Sequence, residues 1–413
     1  MVVDRWDPSS RPAATIGSLP RQAEIYERLA DTDLDPELSW SEKDLSERDR
    51  TKHVHRLHPY LGKYIPQLVE IFLRRHFRPG QVILDPFAGS GTTLVESSAY
   101  GCASVGIDIS AFNALLCRVK TALYNPFVVE SDLRHGLAEL AAIRDGTAVR
   151  STLDDPVRAG SGSETPWPSE WLTQWFDPQA LRDLLRYRAV LDAYPASAEL
   201  MSVVLSRGAR SARLVTHFSL DFSTAPQIGP YFCRKHGRVC EPTKEAYKFL
   251  SRYTLDTIKR VKEYERLRTD AEVLVVQGDA RFATIPRTCD GLITSPPYPG
   301  RIDYHEQHRY AFELLGLDDA RSDEIGAAEK GTSKRAVESY VDDMIAVFGN
   351  ARTSLAANAL AIIVIDDKRA LYDRILAEAG FVVTDRRKRH VNRRTGRRQG
   401  EFFEEIISAR VRT

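Results

Sequence analysis

Val82-Ile83-Leu84-Asp85-Pro86-Phe87-Ala88-Gly89-Ser90-Gly91-Thr92-Thr93 reads as a buried strand, an acidic residue, a tight glycine turn and the opening of a helix. The apolar run is short and continuous, as in a strand covered on both faces. The glycines allow a tight turn and let a ligand approach the backbone. Gly-x-Gly alone is weak. It lacks the third glycine of a dinucleotide fingerprint, and no Gly-Lys-Ser/Thr follows to make a phosphate loop. A second strand, Ala103-Ser104-Val105-Gly106-Ile107-Asp108, ends in an acid about 20 residues past the turn, the place from which a carboxylate accepts ribose hydroxyls. Asp108 is the leading cofactor candidate, with a helix N-cap before Ser110-Ala111-Phe112 as its plainer role.

A third strand ends in Gly291-Leu292-Ile293-Thr294-Ser295-Pro296-Pro297-Tyr298. Proline cannot continue a ladder, so the chain leaves the sheet there. What remains is a stiff set of acceptors, the Ser295 hydroxyl and the carbonyls of Ser295 and Pro296, beside the flat ring of Tyr298. Such a set suits a planar ring carrying an amino group. By itself, an ordinary proline-rich turn explains the stretch equally well.

Together, Asp-Pro-Phe-x-Gly-Ser-Gly-Thr and Thr-Ser-Pro-Pro-Tyr resemble the cofactor and catalytic motifs of DNA amino-methyltransferases, the second in its cytosine-N4 form. The adenine-N6 enzymes more often carry Asp-Pro-Pro-Tyr. The resemblance covers about residues 50–120 and 270–413. It implies S-adenosylmethionine as cofactor, held by Tyr64, Asp85, Phe87, Gly89, Gly91, Thr92, Asp108 and Asp279. It implies Ser295, Pro296, Pro297 and Tyr298 as the catalytic set. The segment His53–Leu68, with Tyr64, would close over the methionine end of the cofactor. Many relatives with Ser-Pro-Pro-Tyr place it before the cofactor motif. Here it comes after, which weakens transfer of base identity more than of reaction type. Cytosine-C5 chemistry needs a Pro-Cys nucleophile, and no cysteine here follows a proline.

The expected fold is α/β: a Rossmann-like methyltransferase sheet, mostly parallel with a C-terminal antiparallel hairpin, plus a large, mainly helical insertion. Residues 1–50 are polar and proline-bearing and read as a loosely ordered arm. Residues 51–124 and 271–413 make the catalytic domain. Residues 125–270, where the strand pattern stops, make the insertion, taken as the target-recognition region. Its aromatics Trp167, Trp171, Trp175 and Phe176 read as core, and Asp177-Pro178 as a helix start.

Net charge is only +1 over 413 residues, so affinity for nucleic acid must come from local patches. Arg207, Arg210 and Arg213, three apart, would line a helix face toward phosphates. Tyr231–Cys240 reads as a basic hairpin entering a groove, with Lys235 and Arg238 as contacts and Cys233 and Cys240 facing each other across it. The cysteine spacing is wider than Cys-x-x-Cys and a fourth ligand is not apparent, so no metal is expected. His53, His55 and His58 read as hydrogen-bonding imidazoles of a polar loop. Residues 386–398 read as a loop of eight cations, with Arg387, Lys388, Arg389, Arg393, Arg394, Arg397 and Arg398 meeting a polyanion.

Five cysteines make no disulfide framework, no apolar run is long enough to span a membrane, and Met1-Val2-Val3-Asp4-Arg5 lacks the regions of a signal peptide. A cytoplasmic protein is expected. The reaction expected is methylation of cytosine N4 in double-stranded DNA, beside a cognate restriction endonuclease. The alternatives are adenine N6, an amino group of RNA, or an inactive nucleic-acid-binding protein on the same fold.

Overall fold

The computed structural model describes Leu38 and residues 45–147, 168–217, 223–391 and 403–412. A seven-stranded sheet lies at its centre, in the order β5-β2-β1-β6-β7-β9-β8. The strands are β1 (Val82–Asp85), β2 (Ala103–Asp108), β5 (Val273–Gln277), β6 (Cys289–Thr294), β7 (Leu355–Ile365), β8 (Phe381–His390) and β9 (Phe403–Val411). From β5 to β7 every pairing is parallel. β9 is antiparallel to both β7 and β8, which gives the expected terminal hairpin. The chain runs outward from β1 toward β2 and from β6 toward β7. The order of strands therefore reverses between β1 and β6, and a crevice opens there at their carboxyl ends.

Helices cover both faces: α1 (Pro66–His76), α2 (Thr92–Tyr100), α3 (Ala111–Thr121), and, between β2 and β5, α4 (Pro126–Arg144), α5 (Glu170–Trp175), α6 (Pro178–Val190), α7 (Ala198–Ala212) and α8 (Tyr247–Glu265). Beyond β6 follow α9 (Arg309–Leu315), α10 (Lys334–Thr353) and α11 (Tyr372–Glu378). Their starts are written in the sequence. The side chains of Ser110, Asn125, Asp177 and Ser333 cap α3, α4, α6 and α10, and Pro126 and Pro178 open α4 and α6. A two-stranded hairpin, β3 (Tyr231–Cys233) and β4 (Arg238–Cys240), stands apart from the main sheet.

Residues 125–270 are mainly helical, but their core is not separate. Leu133, Leu140, Leu184, Met201, Val204 and Leu250 belong to one buried cluster with Val95 of α2, Phe112 and Leu116 of α3, and Phe312 of α9. Trp175 and Phe176 are in this core, as expected, while Trp167 lies outside the described residues. Most of residues 1–50 lie outside the described residues too, but Leu38 and Leu45 do not hang free. Both are buried against α1 and strands β1, β6 and β7.

The segment before α1 departs from expectation. His53, His55 and His58 are buried, not part of an open polar loop. Lys52 Nζ donates to Glu96 Oε2 at 2.8 Å and to Glu70 Oε2 at 3.2 Å, and His55 Nε2 meets Glu96 Oε1 at 2.7 Å. Burial, aided by neighbouring cations, pushes both His53 and His55 well below the usual imidazole range, so they are neutral. Among the described residues, the buried ammonium that compensates Glu96 is Lys52. Lys52→Met should lower stability by about 3–5 kcal/mol by stranding that carboxylate, and Glu96→Gln in the same chain should recover much of the loss. Urea unfolding at neutral pH reads both effects.

Candidate active site

Two glycine positions shape the turn after β1. Gly89 and Gly91 sit at φ +52° and +79°, where side chains are rarely tolerated, and a Cβ on Gly91 would lie 3.2 Å from the Cys117 sulfur. Lys120 of α3 donates to the Ser90 carbonyl at 2.6 Å from a fully buried position. The turn hands the chain to the N-terminus of α2, whose free N–H groups favour an anion.

Asp85 closes β1 beside Thr294, the last residue of β6. The Thr294 hydroxyl donates to Asp85 Oδ1 at 2.6 Å, and the Phe87 N–H donates to the same oxygen at 3.1 Å. The Tyr64 hydroxyl meets Thr93 Oγ1 and lies 3.5 Å from Asp85 Oδ2, while Thr93 Oγ1 donates to the Ile293 carbonyl. Burial raises the Asp85 carboxyl above its ordinary range, and the surrounding donors oppose that rise. Asp85 and Tyr64 thus tie the glycine turn to the Ser-Pro-Pro loop.

Asp108 ends β2. Oδ2 accepts the Gly89 N–H at 2.8 Å, and Oδ1 accepts from Ser110 N–H and Asn113 Nδ2. A carboxylate has about four acceptor positions, so one remains for a ligand. Burial raises its carboxyl to about 6.

These groups line a cleft of about 810 Å³, part of it open to solvent. Of the residues expected at a cofactor, Tyr64, Asp85, Phe87, Gly89, Thr92, Asp108 and Asp279 all line it, and Gly91 shapes it from behind. Asp279 is held bidentately by the Arg281 guanidinium, which also reaches Asp343. Ser295 and Pro297 line the same cleft from β6.

Several lining residues were not singled out from sequence: Tyr60, Lys63, Asn113 and Glu324. Burial lowers the Lys63 ammonium to about 8, and it donates to the His55 carbonyl. Tyr60 stacks on Tyr304 and His308. Glu324 accepts from Tyr304 N–H and meets His305 Nδ1 at 2.8 Å. Four residues lining this cleft carry a buried polar atom that makes no hydrogen bond: Ser90 Oγ, Thr92 Oγ1, Asn113 Oδ1 and His305 Nε2. They lie in a cleft at a helix N-terminus that carries a free carboxylate position on the opposite wall. That donor set fits S-adenosylmethionine, with its diol, carboxylate and ammonium.

Tyr298 does not line this cleft. It borders a second one of about 910 Å³, with Arg301, Asp366, Lys368 and Arg369. The Tyr298 hydroxyl donates to Glu404 Oε1 at 3.2 Å, and burial together with that carboxylate keeps the phenol protonated. The Arg301 guanidinium lies 5.2 Å from the ring centre and bonds Asp366 at 2.7 Å. The Tyr340 hydroxyl donates to the Pro297 carbonyl at 2.9 Å, so Ser295 and the buried Pro296 carry the acceptors that the loop can offer. The proline loop contributes Ser295 and Pro297 to the first cleft and Tyr298 to the second.

The expected DNA contacts divide. Lys235 and Arg238 are exposed on the hairpin. Arg207 and Arg213 are buried, and the expectation of a basic helix face fails. Arg207 bonds Asp256 at 2.7 Å and lies over Tyr253; Arg213 lies over Tyr310. The reason is that α7 runs through the middle of the helical region, so its cations meet partners on neighbouring helices; Arg210 is half-buried. The expected basic loop is strand where its cations are described. Residues 386–390 belong to β8, whose partner β9 supplies Glu404 and Glu405. Arg389 is 4% exposed and bonds Glu404 Oε2, so it acts on Tyr298 through a shared carboxylate and not on phosphate. Arg387 pairs with Asp385, and Lys388 is exposed. Arg393, Arg394, Arg397 and Arg398 lie outside the described residues.

Among the described residues no helix is long and apolar enough to cross a membrane. Residues 20–115 match the DNA methylase family that groups N6 and N4 methyltransferases. The chain is 33% identical to type II methyltransferase M.MjaII of Methanocaldococcus jannaschii, over 89% of this chain and 82% of that protein. It is 34% identical to type II methyltransferase M.MvaI of Kocuria varians, over 24% of each. Among solved structures, TrmN from Thermus thermophilus aligns over 85% of this chain and 50% of its own, with 12% identity and a TM-score of 0.33. With a relative 33% identical over 89% of this chain and 82% of its own, and a match to the DNA methylase family, the chain belongs to the type II DNA methyltransferases, amino-methyltransferases that use S-adenosylmethionine.

Proposed function

We propose that this enzyme methylates the exocyclic N4 of cytosine at a specific site in double-stranded DNA. The observation that carries the reading is the Thr294–Asp85 hydrogen bond, which sets the Thr-Ser-Pro-Pro-Tyr loop directly against the cofactor turn. The loop presents serine, not aspartate, before the two prolines, as in the cytosine-N4 form.

A target amino group is inaccessible in the stacked duplex, so the base must be flipped out. We place the flipped base against the Ser-Pro-Pro-Tyr loop, where Ser295 lines the cofactor cleft, with Tyr298 as its stacking surface. Ser295 Oγ and the Pro296 carbonyl accept the two N–H bonds of the amino group. Those bonds draw the nitrogen lone pair out of ring conjugation and aim it at the methyl group of the cofactor. S-adenosylmethionine, when bound, supplies an electrophilic methyl group on its sulfonium. Pro296 and Pro297 keep the acceptors rigid, so alignment accounts for much of the rate. Asp108 holds the ribose diol, and Lys63, Ser90, Thr92 and the α2 terminus hold the methionine end. Asp279 and Phe87 border the adenine. Residues 125–270 act as target-recognition region, with Lys235 and Arg238 on phosphates. A restriction endonuclease of the same specificity is the partner implied.

Two measurements test the assignments. Burial holds the Asp108 carboxyl at about 6, so in the free enzyme it gains a proton as pH falls through that value. A diol donates to the ionised form. Affinity for S-adenosylmethionine should therefore be full at neutral pH and fall as pH drops through about 6. Asp108→Ala should bind about ten- to a hundredfold more weakly and lose that slope. Calorimetry across the range decides, and unchanged affinity in a folded variant refutes the ribose role.

Ser295→Ala and Tyr298→Ala should each keep cofactor affinity and lose most methyl transfer. The tyrosine loss reflects stacking worth about 1–3 kcal/mol per base. Digestion and mass spectrometry of DNA modified by the wild type should show N4-methylcytosine. N6-methyladenine would overturn the base assignment, and methyl label confined to RNA would overturn the DNA reading.

A further inference from the structure

The hairpin β3–β4 poses a stability problem. Each strand has three residues, and an isolated two-stranded hairpin is marginal in water. One face points outward with Phe232 and Val239 at 66% and 67% exposure. The other face carries Cys233 and Cys240, diagonal to each other in a register that pairs Tyr231 with Cys240 and Cys233 with Arg238. Among the described residues, the groups gathered on its inner face are metal ligands.

Four such groups converge. Cys233 and Cys240 come from the two strands, His236 from the turn, and His217 from the chain before the hairpin, and their ligand atoms all lie within 4.8 Å of one another. Cys233 Sγ is 3.6 Å from His217 Nδ1 and 3.5 Å from His236 Nδ1, and Cys240 Sγ is 3.5 Å from His236 Nδ1. Zinc–sulfur bonds of about 2.3 Å and zinc–nitrogen bonds of about 2.0–2.1 Å at tetrahedral angles put sulfur and nitrogen about 3.6 Å apart. The two imidazole planes are inclined at 73°, with centroids 4.8 Å apart, so both nitrogens can aim at one point. The Tyr231 hydroxyl accepts the His217 backbone N–H and lies 2.9 Å from its Nδ1, which holds that ring over the hairpin. Binding would displace the two thiol protons and leave the hydroxyl to turn outward.

We propose that His217, Cys233, His236 and Cys240 form a closed, structural zinc site that staples the hairpin to the helical region. Two thiolates and two imidazoles without a carboxylate select zinc over magnesium or calcium. The four protein ligands complete the shell, so the site is architectural and not a second catalytic centre. It holds the exposed Arg234, Lys235 and Arg238 in place at the tip.

The test uses the full chain, carried on a purification handle without histidines and kept reduced. Elemental analysis after growth with zinc should find about one zinc per chain in the wild type and under about a tenth in Cys233→Ser/Cys240→Ser. Cobalt exchanged into the wild type should give the intense visible bands of a tetrahedral ion with thiolate charge transfer. His217→Ala should bind zinc at least about tenfold more weakly, since it loses one ligand of four. A folded wild type that takes up no zinc, or that gives the weak absorption of six-coordinate cobalt, overturns the site. Unchanged zinc affinity in His217→Ala overturns the fourth ligand. The wild-type readouts stand even where the double serine variant does not fold.

Discussion

The hydrogen bond from Thr294 to Asp85 joins two stretches of chain that lie more than 200 positions apart in sequence. β1 and β6 are neighbours in the sheet, and this bond fixes their ends where the strand order reverses. Everything chemical depends on that seam. The glycine turn leaves β1 from one side of it, and the Ser-Pro-Pro loop leaves β6 from the other. Because Asp85 is buried, its bonds are made in a medium of low dielectric, where a displaced donor costs more than it would in water. Tyr64 and Thr93 close the ring of contacts, so the seam is braced from the segment before α1 and from α2 as well.

The sheet was legible because its central strands are short apolar runs, each followed by turn chemistry with one clear meaning. Val82–Leu84 before Asp-Pro and Leu292–Ile293 before Thr-Ser-Pro-Pro are such runs, and the helix caps at Ser110 and Asp177 are equally local signals. The ends of the late strands were less legible. β7 starts at Leu355, five residues before its apolar run, and passes through Asn358 at a positive φ that interrupts the pattern. β8 runs on to His390 through cations that look like loop, because the acids opposite them, Glu404 and Glu405, come from another stretch of sequence.

The site shows the same division. Residues inside a motif were readable, since a motif is a local statement about backbone. Residues brought in from elsewhere were not: Lys63 and Glu324 carry no pattern of their own, and His217 stands 16 residues from Cys233 with nothing between to link them. Charge alone misled most. A row of arginines reads as a basic surface only if the helix bearing it is at the surface, and α7 is wrapped by its neighbours.

The core shared between the helical region and α2, α3 and α9 bears on modularity. A recognition element that owns its own core can be exchanged like a cartridge. Here Val95, Phe112, Leu115 and Leu116 are fully or almost fully covered, and much of that cover is lent by helices of the 125–270 segment. Cutting that segment out would leave an apolar wall facing water, at roughly 25 cal/mol for each Å² uncovered. Grafting a foreign segment would succeed only if its inner face repeated the same relief. On the reading proposed for this segment, changes of specificity fall on what the helices and their hairpin carry outward, while the inner packing is shared with the catalytic sheet.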